Sequence, residues 1–497
     1  MSRLVAMTML LLVLVSSCYD FPQPFERPEG TLDAANLENT VFLGGSWFSG
    51  THSGALTSDF ASYNIPDIFL NTLAQNEVSS WESFSPAVES ENGFNIYENA
   101  TLSGTVGQYL LEYPNLDTAD FERVTTAGQA FAYANANSSI QNFSFPESGL
   151  ISKTIAGTNA FESQFGFSGN TVLSAAVGAS PTFFVLDAGF EDMVNFAQNG
   201  AEGDADVSDA ASFTSGDLPS VALFQEKLDE IVDAFLSSGG EVKGALINIP
   251  DIIKFPYFNE IWYDMTPYID GLPILNTVRI RAANYNGLLD FYYRQNPQIP
   301  FEDRRRTLMF DGDIAGNWGV LVEDPDLPEA FDVNGDLIKP VRHTTRDERL
   351  IMTIEERLNK DLGNTPENAL KPNQYLTEDE LTLIQSRITA FNQIIQQKVD
   401  ASNGRLVLVD NHAYFEEMFD GLSLFLERKG RGFQIDGAPF LPIMGEFGVF
   451  SADGINLNPR GNALLTNVII DAMNASFGGN LQNANPNSFA GTPISNR

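Results

Sequence analysis

The chain has 497 residues, with 28 Lys and Arg against 65 Asp and Glu for a formal net charge of −37, and it carries one Cys and three His. So acidic a chain lacks the basic surface that phosphate recognition needs, which argues against a nucleic-acid partner, and a single Cys rules out an intrachain disulfide and a thiolate zinc cluster. With 43% hydrophobic and 19% charged residues it reads as globular, long enough for one large α/β domain or two smaller ones.

Met1 to Ser17 follow a signal-peptide plan: Arg3 gives the positive end, Leu4 to Val15 form an apolar run too short to span a bilayer, and Ser16 and Ser17 are small. Val15-Ser16-Ser17-Cys18 resembles a bacterial lipobox, whose Cys becomes the diacylated first residue of the mature protein, and the sole Cys stands at that position. An ordinary secretory signal cleaved near Ser17 is the alternative. The lipobox implies acyl chains on Cys18 that hold the protein to a membrane without a transmembrane helix, as an outer-membrane lipoprotein of the bacterial cell envelope. Residues 18–38, with Pro22, Pro24 and Pro28, then read as the lipidated Cys and a semi-rigid tether.

Thr40 to Leu43 reads as a strand running into Gly44-Gly45-Ser46, and Thr182 to Leu186 as another running into Asp187-Ala-Gly-Phe-Glu-Asp192. After Pro219, the spacing of Val221, Phe224, Leu228, Ile231 and Phe235 predicts a helix stopped by Gly239-Gly240, with a buried strand at Gly244 to Ile249. Thr377 with Glu380 makes a capping-box pattern ahead of Leu381, Ile384, Ile388, Phe391 and Ile395, and Arg405 to Asp410 follows as a strand. Helices alternating with short, continuously apolar strands predict a parallel sheet covered on both faces. Ligands of such sheets sit just past the strand C-termini, which places Ser46 and the 187–192 segment where a site belongs. Residues 76–170 and 255–350 show no clean alternation and read as insertions over the crevice; residues 478–497 read as a flexible tail.

Ser46, on a tight turn between a strand and a helix, has the geometry that exposes an activated hydroxyl, or it simply N-caps the next helix. Asp332-Val-Asn-Gly-Asp336 has the start of a calcium loop without the distal acid and reads as a β-turn. Glu202 to Asp206 reads as a solvated acidic loop, and Arg304-Arg-Arg306 as paired with Glu302 and Asp303. Phe255, Tyr257, Phe258, Trp262 and Tyr263 make either a lipid- or partner-binding surface or core packing.

Gly44-Gly-Ser-Trp-Phe-Ser-Gly50, with Gly54-Ala-Leu56, Tyr63, Pro66 and Leu73-Ala-Gln75, resembles the first block of the SGNH/GDSL hydrolases, in the version carried by Bacteroidetes lipoproteins. Asn142 to Pro146 is similar to the second block, Pro181 to Asp192 to the third, Ile247 to Asp251 to the strand end between, and Asp453 to Gly461 to the last. The resemblance covers residues 39–477. It implies a flavodoxin-like three-layer α/β/α sandwich with large insertions, no cofactor, no metal, and by default hydrolysis of acyl or lipid esters.

The resemblance assigns Ser46 as nucleophile and Asp453 as triad acid, but the histidine position is Asn456. Gly45 replaces the usual acid before the serine, Glu147 stands at the oxyanion-hole glycine with Gly149 near enough to supply an N–H instead, and Glu191 replaces the oxyanion amide. An amide has no basic site near neutral pH, and loss of such a histidine costs on the order of 10⁴ to 10⁶ in turnover. An ionised Glu191 in an open crevice would also repel a developing oxyanion. Of the three histidines, His52, His343 and His412, the last lies just past a strand end and is the best substitute base. The expectation is a membrane-anchored lipoprotein acting by binding a small acyl or lipid ligand, or as a subunit of an envelope complex. The alternatives are an active serine esterase or lipase using Ser46, and a crevice turned into a metal or carbohydrate site on Glu191, Asp192 and Asp453.

Overall fold

The computed structural model describes residues 32–75, 92–97, 105–113, 122–129, 141–157, 160–162, 170–265, 272–310, 318–354, 358, 362–420 and 430–496. Cys18, its signal segment and most of the tether lie outside them. Four strands form a parallel sheet in the spatial order β1 (Thr40–Leu43), β2 (Phe183–Asp187), β3 (Lys243–Ile247) and β4 (Leu406–Val409). Nine α-helices stand among the described residues: α1 (Ser46–Ser49), α2 (Ile65–Gln75), α3 (Val172–Gly178), α4 (Phe190–Gln198), α5 (Val221–Ser237), α6 (Leu272–Gln295), α7 (Glu378–Asp400), α8 (Asn411–Phe419) and α9 (Pro459–Phe477). The chain is therefore α/β, with a parallel sheet at the strand positions that the sequence pattern marks.

Every residue of β1 and β2 is buried, so both faces of the sheet are covered. Adjacent residues of a strand point to opposite faces. Phe184 stacks on Phe235 of α5 at 4.4 Å, while Phe183 meets Phe477 of α9 edge-on at 5.9 Å. Helices thus lie against both faces. Ser220 caps α5 through the Leu223 N–H, and Thr377 with Glu380 closes the capping box of α7, the latter as its spacing predicts. Beyond β1, on the edge away from β2, the Phe42 N–H donates to the Gln141 carbonyl and the Phe143 N–H to Phe42, a parallel bridge that fixes the start of the loop carrying Glu147.

Three expectations need correction. Within 255–350 the structure places the 24-residue helix α6, whose pattern is obscured by the exposed Ile274, Ile280, Leu288 and Phe291. Residues from Gly478 on have fixed partners where composition suggests a flexible tail: Ile494–Asn496 pairs with Leu111–Tyr113, and the Thr492 hydroxyl donates to the Phe450 carbonyl. Arg304 and Arg305 do not pair with Glu302 and Asp303; Arg304 donates to the Ile299 carbonyl, and the buried Arg305 donates to the carbonyls of Pro328, Ile338 and Lys339. The Asp332–Asp336 segment is a turn, in which the Asp332 carboxylate accepts the N–H groups of Asn334 and Asp336. Phe255, Tyr257 and Phe258 are buried, so they serve packing.

Candidate functional site

Parallel pairing builds the site. Leu43, the last residue of β1, sits beside Leu186 of β2, so the turns that leave the two strands emerge side by side. The first delivers Ser46 and the second Glu191. Gly45, not Ser46, is the N-cap of α1, and Ser46 is its first helical residue. Glu191 lies in the first turn of α4. Their sequence neighbours lock the pair: Trp47 packs on Phe190 with ring centroids 4.0 Å apart, and Phe255 lies against both.

The Ser46 N–H donates to Oε1 of Glu191, and the Ser46 hydroxyl also bonds that carboxyl. Both residues are buried, at 2% and 3% exposure. Burial pushes Glu191 up to about 8 against the pull of the Ser46 hydrogen bonds. The expectation of an ionised carboxylate in an open crevice is therefore corrected: near pH 7 Glu191 is mostly neutral, and what it does is occupy the N–H that would face an oxyanion. Gly45 makes room for it, since a Cβ there would lie 1.9 Å from Glu191 Cγ.

The Glu147 N–H points at Ser46 Oγ from 3.4 Å, and Glu147 holds a left-handed φ of 58°, the conformation a glycine would take without strain. Gly149 does not supply the substitute donor, because its N–H is spent on the Glu147 carbonyl. Its lack of a side chain instead admits Asp192, whose Oδ1 would lie 2.3 Å from a Cβ and whose Oδ2 accepts the Leu150 N–H. Burial pushes Glu147 up to about 7.

Asp453 and Asn456 sit in the loop before α9. Asp453 Oδ1 accepts the N–H groups of Ile455 and Asn456 at 2.9 and 2.7 Å, and Oδ2 accepts Gly54 N–H at 2.6 Å and Asn456 Nδ2 at 2.9 Å. Asn456 Nδ2 also donates to Tyr97 Oη at 2.8 Å, and its Oδ1 is buried without a partner. Tyr97 is held well above its ordinary range, first by burial and then by the negative charge of Asp453 and Glu191. Trp47 Nε1, next to Ser46, donates to the Ile455 carbonyl at 3.2 Å, which brings the serine corner and the Asp453 corner together.

No histidine joins them among the described residues. His52 is buried and stacked on Phe60 at 3.7 Å with both ring nitrogens unpartnered. His343 has Nδ1 against the Gly319 carbonyl and Nε2 accepting the Met309 N–H. His412, the expected substitute, turns Nδ1 to the Ile249 carbonyl.

Lys153, 1% exposed, was not foreseen. Its ammonium donates to the carbonyls of Ser148 and Gly149, and burial lowers its pKa while Asp187, Asp192 and Glu191 raise it. Burial also pushes Asp187, at the end of β2, up to about 6, with Lys153 pulling the other way. Lys153 thus lies under the 147–150 loop, bonded to two of its carbonyls. Among the described residues no three His, Cys, Asp or Glu gather as a metal site, so the metal reading of Glu191, Asp192 and Asp453 finds no geometric support. Tyr97 lies in a stretch without periodicity, and no pattern marked it.

A cavity of about 470 Å³ adjoins the site through Tyr97 and Glu147, which line it together with Tyr257. A larger cleft of about 1300 Å³ lies apart, bounded by Arg305, Arg342 and Glu348, and holds none of the expected site residues. No protein-family model, curated protein or solved structure matches this chain.

Proposed function

We propose that the protein is an SGNH/GDSL-hydrolase-like lipoprotein, anchored through Cys18 in the bacterial outer membrane, whose serine-hydrolase machinery is disabled and whose crevice binds a ligand. Counting the Asn142 bridge as a strand position, the spatial order of strands is 2-1-3-4-5 in chain order, which is that of flavodoxin-like sheets and supports the finer fold reading. Among the described residues no helix is long and apolar enough to cross a membrane, which is compatible with a lipid anchor.

The observation that carries the proposal is the engagement of Ser46 by Glu191. Its N–H and hydroxyl are both bound by that carboxyl, while Asn456, in the histidine's place, is spent on Asp453 and Tyr97. Ser46 therefore has neither a base nor a free oxyanion donor of its own. Hydrolysis of a short-chain aryl ester by the purified protein tests this. Background rates are expected in the unmodified protein and in Ser46→Ala, with turnover emerging when Asn456→His and Glu191→Asn are combined.

One contact favours a serine esterase instead: above about pH 8 the carboxylate that Ser46 touches is itself a base. That reading predicts a rate that climbs between pH 7 and 9 and vanishes in both Ser46→Ala and Glu191→Gln.

A further inference from the structure

Resting on the binding reading above, we infer that the ligand of the crevice is a neutral polyhydroxylated compound, an oligosaccharide. The 470 Å³ cavity beside Glu147, whose N–H points at Ser46 Oγ, falls within the roughly 300–1,000 Å³ of small-molecule sites, which are mostly walled by apolar groups. This one is walled by side-chain amides, among them Asn195, Gln198, Asn199 and Asn373, together with Tyr97 and Tyr257.

Part of this set is spent on the protein's own backbone, Asn195 Nδ2 donating to the Glu147 carbonyl and Gln374 Oε1 accepting the Lys371 N–H. In the cavity wall, Gln198 Nε2 is buried with no partner. A fatty acyl chain offers that donor no acceptor, whereas a hydroxyl does. An anionic ligand would find no Lys or Arg in the wall. A cation would meet Glu147 as the wall's single carboxyl, and burial keeps Glu147 largely protonated below about pH 7. A carboxamide both donates and accepts, as a sugar hydroxyl does, so a ring of amides matches a ring of hydroxyls.

The cavity also continues. A second hollow of about 310 Å³ shares Glu147, Asn195, Ser215 and Gly216 with the first and is bordered by Asp192, 2% exposed, whose Oδ1 is buried without a partner. The two share the Glu147 and Asn195 wall, so a ligand longer than one ring has room on either side of it.

The test is isothermal titration of the purified protein with neutral trisaccharides covering the common hexose, pentose and N-acetylhexosamine linkages, with trigalacturonate and with dodecanoate. A neutral trisaccharide is expected to bind, with affinity falling about tenfold in Asn373→Ala and in Gln198→Ala. Asn373 is exposed, so its replacement leaves the fold intact. Failure of every neutral trisaccharide, or binding that neither variant weakens, overturns the inference. Saturation by dodecanoate alone overturns it while sparing the binding reading; ester turnover that disappears in Ser46→Ala removes the reading beneath it.

Discussion

Asp453 and Glu191 are both buried carboxyls of one crevice, yet the chain holds them differently. Four hydrogen bonds converge on Asp453, three of them from backbone N–H groups of its own loop and of Gly54. Burial raises its pKa, and those bonds oppose the rise. Glu191 has hydrogen bonds from Ser46 alone among the described residues, and burial prevails, taking it to about 8. Burial outweighs the hydrogen bonds at both, and what differs is how many donors the backbone aims at the acid to oppose it. A loop folded around the acid, as at 451–458, supplies them; the first turn of a helix pointed at one serine does not.

The largest expected effect lies on the Asp453 side. Asp453→Ala strands the N–H groups of Gly54, Ile455 and Asn456 in the interior, and we expect a loss of about 4 kcal/mol, against about 2 kcal/mol for Asp453→Asn, which keeps one acceptor oxygen. Urea denaturation at unchanged m-value measures it, and a loss under about 1 kcal/mol for the alanine variant would break the comparison. Next is the pH dependence of Glu191. Its folded value, about 8, lies above its ordinary 4.5, so the folded state binds the extra proton between them. The stability tied to that proton is full below about pH 4.5 and is lost as pH rises towards 8. Glu191→Gln should therefore lose about 3 kcal/mol less than the unmodified protein between pH 5.5 and 8.5. Identical pH profiles would mean that Glu191 is ionised throughout that range.

Much of this arrangement is legible in the sequence because it follows directly from strand ends. Continuous apolar runs mark β1 to β4, apolar spacing marks α5 and a capping box α7, and Ser46 and Glu191 come just past two of those strands. What escapes is set by long-range packing. Tyr97 reaches Asn456 from a segment with no period, Lys153 is an ordinary lysine until three carboxyls surround it, and α6 leaves apolar residues in solvent that blur its pattern. Nor does sequence reveal that Glu147 adopts a glycine's backbone conformation, or that Glu191 is buried and neutral.

The serine corner is also tighter sterically. Gly45→Ala would set a Cβ 1.9 Å from Glu191 Cγ, and overpacking of this kind costs about 2 kcal/mol. Shortening Glu191 to Ala in the same chain should recover most of that loss, a coupling above about 1 kcal/mol in the double-mutant cycle. Additive losses would show that Gly45 is needed for some reason other than the room it gives Glu191.

The smallest effect concerns a residue near Asp453 that its well-donated loop leaves unsatisfied. His52, two positions before the Gly54 N–H that Asp453 accepts, is stacked on Phe60 with neither ring nitrogen paired, and burial lowers it to about 3. Its folded value lies below its ordinary 6.5, so the stability of holding it neutral is full above pH 6.5 and is lost as pH falls towards 3. His52→Phe keeps the stacked ring and removes two stranded nitrogens. It should gain about 0.5–1 kcal/mol at pH 7, with the gain growing on acidification because the unfolded histidine no longer takes up a proton. Thermal denaturation at pH 7 and pH 5 measures both parts. A loss at pH 7 would mean that the ring nitrogens have partners in solution, and if ester turnover were lost along with it, His52 would become the base that Ser46 otherwise lacks.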